Sequence, residues 1–279
     1  VSLAGAIDAA QAKLITPILV GPSDAIEAAA KAGGIAISDY EIIEVSNPDA
    51  AAAKAVDLVL AGKAEAIMKG ALHTDVLMHE IVAGEHTLRT ERRLSHVYVM
   101  DVPTYPRPLL ITDAAINIYP DLEEKRDIVQ NAIELAHALG IEKPKVAILS
   151  AVEVVTPKIK STIDAAALCK MADRGEITGG ILDGPLAFDN AISADAAKTK
   201  HIVSPVAGQA DILVVPDLEA GNMLAKQLEY LAEATGAGIV VGAQVPIILT
   251  SRSDTILTRM ASCAVAVLLA HYQRKKGAP

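Results

Sequence analysis

Short runs of Val, Ile and Leu alternate with longer Ala-rich stretches along almost the whole chain, and nothing else in the sequence constrains its fold as strongly. "TPILVG", "YEIIEVS", "AEAIMKGA", "LSHVYVMDV", "RPLLITDAA", "PKVAILSA", "GGILDGP", "ADILVVPD", "AGIVVGA" and "VPIILTS" read as strands. Between them, helices are expected over 2–14, 23–33, 49–62, 74–84, 121–139, 158–174, 221–234 and 254–272. The Asp-Leu-Glu-Glu start of the 121–139 segment suits the positive end of a helix dipole. Strand then helix, repeated with short connections, implies an α/β protein with largely parallel sheets covered by helices on both faces. Aromatic residues make up only 3% of the chain and Trp is absent, so the interior is packed with Ala, Val, Ile and Leu. The 279 residues are enough for two lobes around a cleft.

Charge and cysteine content exclude several classes of function. A formal net charge of −9 is wrong for general nucleic-acid binding, although local arginines can still hold a small anion. Cys169 and Cys263 sit in apolar helical patterns with no CxxC spacing, which predicts buried structural thiols and no metal. No uninterrupted apolar run reaches the length of a membrane span. No leader is visible in a chain that begins at Val1, and the expected location is the cytoplasm.

In sheets of this kind, ligands gather beyond the carboxyl ends of strands. The residues there are Lys69 after "AIM", Asp113 after "LLIT", Asp183 after "GGIL", Asp217 after "LVVP", and Ser251-Arg252 after "IILT". Each taken singly also reads as a cap or turn residue. The segment 212–228 is a strand, a turn and a helix opened by Gly221-Asn222, an arrangement that suits an anion at a helix start but equally a plain N-cap. Gly236, Gly238 and Gly242 precede a strand instead of following one, so they are no dinucleotide fingerprint. Arg89, Arg92 and Arg93 crowd one short segment, matching either a phosphate receptor or a solvated helix end. His73, His79, His86 and His96 share one quarter of the chain without a recognisable metal spacing, and His73 sits beside Thr74 after a strand end.

"IMKGALHTD", "LRTERRLSHVYVMDVP", "ITDAAINIYPDLEEKRDIVQNA", "DGPLAFDNAIS", "VPDLEAGNML" and "TSRSDT", in that order over nearly the whole chain, resemble the phosphate acetyltransferase and phosphate butyryltransferase family. The wording of "DGPLAFDNAIS" and "TSRSDT" leans to the butyryltransferase-like branch. Similar sequences also form the acyltransferase portion of chains fused to an enoyl-CoA hydratase-like domain. The resemblance implies a homodimer with two α/β lobes, in the fold shared with isocitrate and isopropylmalate dehydrogenases. It implies one discontinuous lobe, 1–101 with 243–279, a second of 102–242, and an active cleft between them.

The implied reaction is acyl-CoA plus phosphate giving acyl phosphate plus CoA, with CoA as substrate and no cofactor or metal. On this resemblance Arg252 clamps phosphate, Ser251 donates to the oxyanion, and Asp254 takes the thiol proton or caps the last helix. Lys69, Thr74, Arg89, Arg92, Arg93, Gly221 and Asn222 are the expected substrate-binding residues. The acetyltransferase branch places Gly after its Ser-Arg pair and the catalytic Asp several residues later. Here Ser253-Asp254 follow directly, and Thr255 to Met260 hold no carboxylate. Two other classes fit parts of the pattern: a metal- and NAD-dependent hydroxy-acid dehydrogenase of the same fold, and a non-catalytic protein that binds CoA or acyl phosphate.

Overall fold

The computed structural model describes residues 2–83, 87–249 and 255–277. In chain order the elements are α1 (Ser2–Gln11), β1 (Ile18–Gly21), α2 (Ser23–Gly33), β2 (Glu41–Glu44), α3 (Pro48–Leu60), β3 (Ile67–Met68) and α4 (Thr74–Ala83). Then come β4 (Ser95–Asp101), β5 (Leu109–Thr112), α5 (Leu122–Ala138), β6 (Lys145–Leu149), α6 (Lys160–Asp173), β7 (Ile181–Leu186), α7 (Phe188–Ile192) and α8 (Ala194–Thr199). The series closes with β8 (Ile212–Val214), α9 (Leu218–Leu231), β9 (Thr235–Val241), β10 (Ile247–Ile248) and α10 (Ile256–Lys276). The chain divides into two compact units, Val1–Arg92 with Ala237–Pro279, and Arg93–Gly236.

In the first unit, β10 pairs in parallel with β3 (Ile247↔Ile67, Ile248↔Met68) and antiparallel with β9 (Ile247↔Val240). β1 and β2 form a separate parallel pair. Asn47 caps α3 by accepting from Ala50 N at 2.8 Å, with Pro48 in the first turn where its missing N–H costs nothing. α10 is long and apolar enough, by length and composition alone, to cross a membrane. It buries Cys263, Val265, Ala266 and Leu269 in this unit and packs against α1, where a Cβ on Gly5 would lie 2.6 Å from Arg259 Cδ. Only a glycine lets the two helices approach that closely.

In the second unit the strand order is β4-β5-β8-β6-β7. β5, β8, β6 and β7 are mutually parallel, while β4 runs antiparallel to β5 from Val97↔Thr112 to Met100↔Leu109. β4 falls within the second unit, which begins at Arg93. Alternate strand residues divide the core. Leu109, Ile111, Ala147, Leu149 and Leu213 pack with Phe188, Leu224 and Ala225 beneath α7 and α9. On the other side α5 lies against β4, β5 and β8, and α6 against β6 and β7. There a Cβ on Gly184 would meet Ile148 Cβ at 2.8 Å and Ala165 Cβ at 3.3 Å. α5 opens with a capping box: Asp121 accepts from Glu124 N and Glu124 accepts from Asp121 N, both at 2.9 Å.

The α/β class matches the sequence reading, but the sheets are mixed. Residues 102–108 and 242–246 are too few for a crossover, which takes roughly a dozen residues or more. β4–β5 and β9–β10 therefore turn back as antiparallel neighbours. Two short helices, α7 and α8, also occupy residues 188–199, where the periodicity gives no element.

Candidate functional site

The carboxyl ends of the parallel strands in the second unit are built from carboxylates that bind their own backbone. Asp113, 3% exposed after β5, accepts from Ala115 N at 2.9 Å and Ile116 N at 3.0 Å through Oδ1. Its Oδ2 accepts from Asn117 N at 3.2 Å and Asn117 Nδ2 at 2.5 Å. Asp217 caps α9 by accepting from Ala220 N at 2.9 Å, and Asp183 accepts from Gly184 N at the same distance. Asp113 and Asp217 are turn and cap carboxylates, the plainer of the roles open to them in the sequence, whereas Asp183 lies inside β7, paired with Ala147, and not beyond the strand's end.

Arg93, Gly221 and Asn222 converge on this turn. Arg93 Nε donates to Asn117 Oδ1 at 2.6 Å, its guanidinium pairs with Glu124 at 2.8 Å, and its backbone N–H donates to Asp127 at 3.1 Å. Gly221 and Asn222 do not open the helix. α9 begins at Leu218, and Gly221 N–H already donates to the Asp217 carbonyl at 3.2 Å. The helix start read at Gly221-Asn222 is corrected: α9 begins at Leu218 and its cap is Asp217. Gly221 is needed for packing, since a Cβ there would lie 2.7 Å from Val215 Cγ2 and 3.0 Å from the Asp113 carbonyl. Asn222 Nδ2 donates to the Ala114 carbonyl at 3.3 Å.

His96 lies beneath the same region on β4, 2% exposed, with its ring edge-on to Tyr98 at 4.5 Å. Burial pushes its pKa down to about 4, against the pull of the Asp113 charge. Its Nδ1 has no hydrogen-bond partner among the described residues. Burial pushes the Cys169 thiol up to about 12 and that of Cys263 up to about 11, so neither is poised as a thiolate. Among the described residues no group of three His, Cys, Asp or Glu side chains could hold a metal ion.

The first unit brings different residues to its strand ends. β3 and β10 are parallel neighbours, so the chain leaves both at the same edge. Lys69 follows β3, its N–H donating to the Ile248 carbonyl at 3.0 Å and its ammonium to the Leu72 carbonyl at 3.2 Å. Leu249 follows β10. Ser251, Arg252 and Asp254, the expected catalytic residues, lie outside the described residues, as does His86. α10 is capped by Thr255, which accepts from Thr258 N at 3.1 Å, so the capping role open to Asp254 is filled by its neighbour. Thr74 is exposed at the start of α4.

Arg89 and the chain around it are stitched to 242–244: Arg89 bridges Ala243, Thr90 Oγ1 donates to the Gly242 carbonyl at 2.7 Å, and Gln244 N–H donates to the Leu88 carbonyl at 2.9 Å. Arg89 is exposed and Arg92 half-buried in the first unit, while Arg93 belongs to the second.

Sequence reasoning missed a polar group beyond β6 and β7. Glu153 accepts from Lys200 Nζ at 2.6 Å and from the Asn190 side chain, and Lys200 also pairs with Asp189 at 3.1 Å. The Lys200 ammonium holds the Glu153 carboxyl below the usual carboxylate range. Ser150 Oγ lies 2.8 Å from Ser161 Oγ. Asn190 stands inside "DGPLAFDNAIS", and Ser150 and Glu153 follow a strand, so position after a strand end was the signal available.

Comparison with known proteins points to one family over most of the chain. The family described as phosphate acetyl/butaryl transferase matches residues 47–267. A protein named phosphate acetyltransferase from Rhizobium meliloti is 63% identical over 273 residues, covering 98% of this chain and 86% of that one. A phosphate butyryltransferase from Clostridium acetobutylicum is 46% identical over 263 residues, covering 94% and 87%. Among solved structures, a branched-chain phosphotransacylase from Enterococcus faecalis V583 is 37% identical with a TM-score of 0.78, covering 83% of each chain.

Proposed function

The chain belongs to the phosphate acetyl/butyryl transferase family and is a phosphate acyltransferase, and from that premise we propose that the edge where β3 and β10 end carries its chemistry. The observation behind this reading is the parallel pairing of those strands, which sets Lys69 at the edge that the chain reaches again just before Ser251 and Arg252. In the direction that makes acyl-CoA, the CoA sulfur attacks the carbonyl carbon of the acyl phosphate. The S–H proton passes to a base, a tetrahedral oxyanion forms, and the C–O bond to phosphate then breaks. A free thiol with a pKa of about 8.5 is only a few per cent ionised at pH 7, so the base matters. Asp254 takes this proton in our reading, Ser251 donates to the oxyanion, and Arg252 holds the phosphate. Lys69, Thr74, Arg89 and Arg92 assist with the anionic substrates. Arg93, Gly221 and Asn222 shape the neighbouring unit, because their polar groups and close contacts are already used there.

We further read the enzyme as a cytoplasmic homodimer without a cofactor, in the fold shared with isocitrate and isopropylmalate dehydrogenases. Light scattering should give twice the 29.0 kDa chain mass. The activity test is phosphate-dependent release of free CoA from acetyl-, propionyl- and butyryl-CoA. Release that stops without phosphate supports the placement if it also falls steeply in Arg252→Ala. An Arg252→Ala enzyme as fast as wild type removes the β3–β10 edge from the mechanism.

A further inference from the structure

Helix α9 turns only part of its surface to the core of the second unit. Gly221 and Ala225 are buried, and Leu224 and Leu228 pack against the core. The opposite face carries Met223, Gln227 and Tyr230, four and three residues apart and so stacked on one side of the helix. Met223 is 59% exposed and Tyr230 65%, and Leu231 at the edge of the stripe is 83% exposed. Exposed single apolar residues are common on proteins, but these three line one shallow hollow with Lys226 and Gln227. The stripe continues past the helix start. Leu218 N–H donates to the Ile118 carbonyl at 3.1 Å, and Tyr119 Oη donates to Glu219 at 3.2 Å, which sets two more exposed apolar residues beside it. The charge at its centre is already balanced, since Lys226 Nζ lies 3.0 Å from Glu229 and 5.7 Å from the Tyr230 ring centre. Exposed Met and Tyr around a neutralised centre have the composition of a protein interface.

The pattern fits a second copy of the same chain. Met223 and Tyr230 lie at equal distances on either side of the point between Lys226 and Gln227. When two α9 helices cross antiparallel about a two-fold axis at that point, Met223 of each copy faces Tyr230 of the other, a sulfur–aromatic contact. Lys226 then faces Gln227, whose amide oxygen accepts from an ammonium, and Leu231 approaches Ile118 and Tyr119. Charge decides the direction. A parallel pair sets Lys226 on Lys226 and Glu219 on Glu219, whereas the antiparallel pair sets neither against its like and opposes the helix dipoles.

We propose that the exposed face of α9, with Ile118 and Tyr119, is the surface through which two copies of the chain pair antiparallel. This rests on the homodimer reading, and all of its residues belong to the second unit.

The first test is light scattering on Met223→Asp/Tyr230→Asp. It should return the 29.0 kDa chain mass where wild type gives twice that, with the dimer dissociation constant raised at least about 100-fold, the scale of losing two central contacts. Val203→Asp, at a fully exposed residue outside the stripe, is the control and should stay dimeric. Cross-linking tests the geometry without an added charge. Positions 223 and 230 are about 10 Å apart along one helix, too far for a disulfide within a chain. Met223→Cys/Tyr230→Cys should therefore oxidise to a covalent dimer, while wild type, Met223→Cys and Tyr230→Cys should not. A folded Met223→Asp/Tyr230→Asp protein that stays dimeric overturns the proposal, and so does a double-cysteine variant that fails to link. If the charged variant does not fold, the cysteine pair decides alone. A monomeric wild type overturns the homodimer reading as well, a result distinct from a dimer indifferent to these changes.

Discussion

The strand ends of the two units carry side chains of opposite charge and tie them to opposite groups of the backbone. In the second unit Asp113 and Asp217 turn their carboxylates onto N–H groups of their own chain. In the first unit the groups at the strand ends are Lys69 after β3 and, in sequence, the Thr-Ser-Arg-Ser-Asp segment after β10, with Arg89 exposed on the stretch stitched to 242–244. A carboxylate beside the amides of a turn is consumed in building it, because each buried N–H left without an acceptor costs about 1–3 kcal/mol. The Lys69 ammonium likewise gives hydrogen bonds to backbone carbonyls, those of Leu72 and Gly70, so it too helps to build its turn. Charge at a strand end is therefore a weak sign of function until the nearby backbone is counted.

The largest effect that would sharpen this contrast is in activity. Arg252→Ala should lower phosphate-dependent CoA release at least about 100-fold, the usual scale for a positioned charge-stabilising group, with the urea midpoint little changed. Asp113→Ala should do the reverse. It strips the acceptor from three backbone N–H groups and from Asn117, and should lower unfolding free energy by about 3 kcal/mol in urea titrations. An Asp113→Ala protein as stable as wild type but inactive would erase the distinction between building and binding charges.

A comparable effect comes from pH. His96 has a folded pKa of about 4, below the 6.5 of an exposed histidine, so between those values the unfolded chain binds the extra proton. Its contribution to stability is fully present above about pH 6.5 and is lost as pH falls toward 4, on the order of 3 kcal/mol in all. Urea titrations at pH 7 and pH 5 should show this loss in wild type and a smaller one in His96→Leu. Equal losses in both would move the effect to other groups. The smallest effect belongs to Gly221→Ala, where the added methyl presses on Val215 and the Asp113 carbonyl. It should cost about 1–3 kcal/mol of stability by overpacking, and a neutral result would mean that α9 can shift outward freely.

Much of the fold was legible because it is set by neighbours in sequence. Period, capping residues and connection lengths are local, and so the strands, the long helices and the α5 capping box at Asp121 and Glu124 are readable directly. The antiparallel pairs β4–β5 and β9–β10 were also within reach, since residues 102–108 and 242–246 cannot make a crossover. The α9 start was misread because Gly221 resembles an opening glycine, while the cap that determines the start is Asp217. α7 and α8 are too short for a helical period to show.

The family, and with it the reaction, could be read from six motifs in order along the chain. Which charges are already spent could not. Arg89 and Arg93 look equivalent in "LRTERR", yet Arg93 is tied to Asn117 and Glu124 and Arg89 is not. Glu153 and Lys200 are far apart in sequence and meet at 2.6 Å. Local pattern carries the backbone because helix and strand depend on near neighbours. The partner of a charged side chain depends on segments that only the folded chain brings together, and tertiary structure alone decided it.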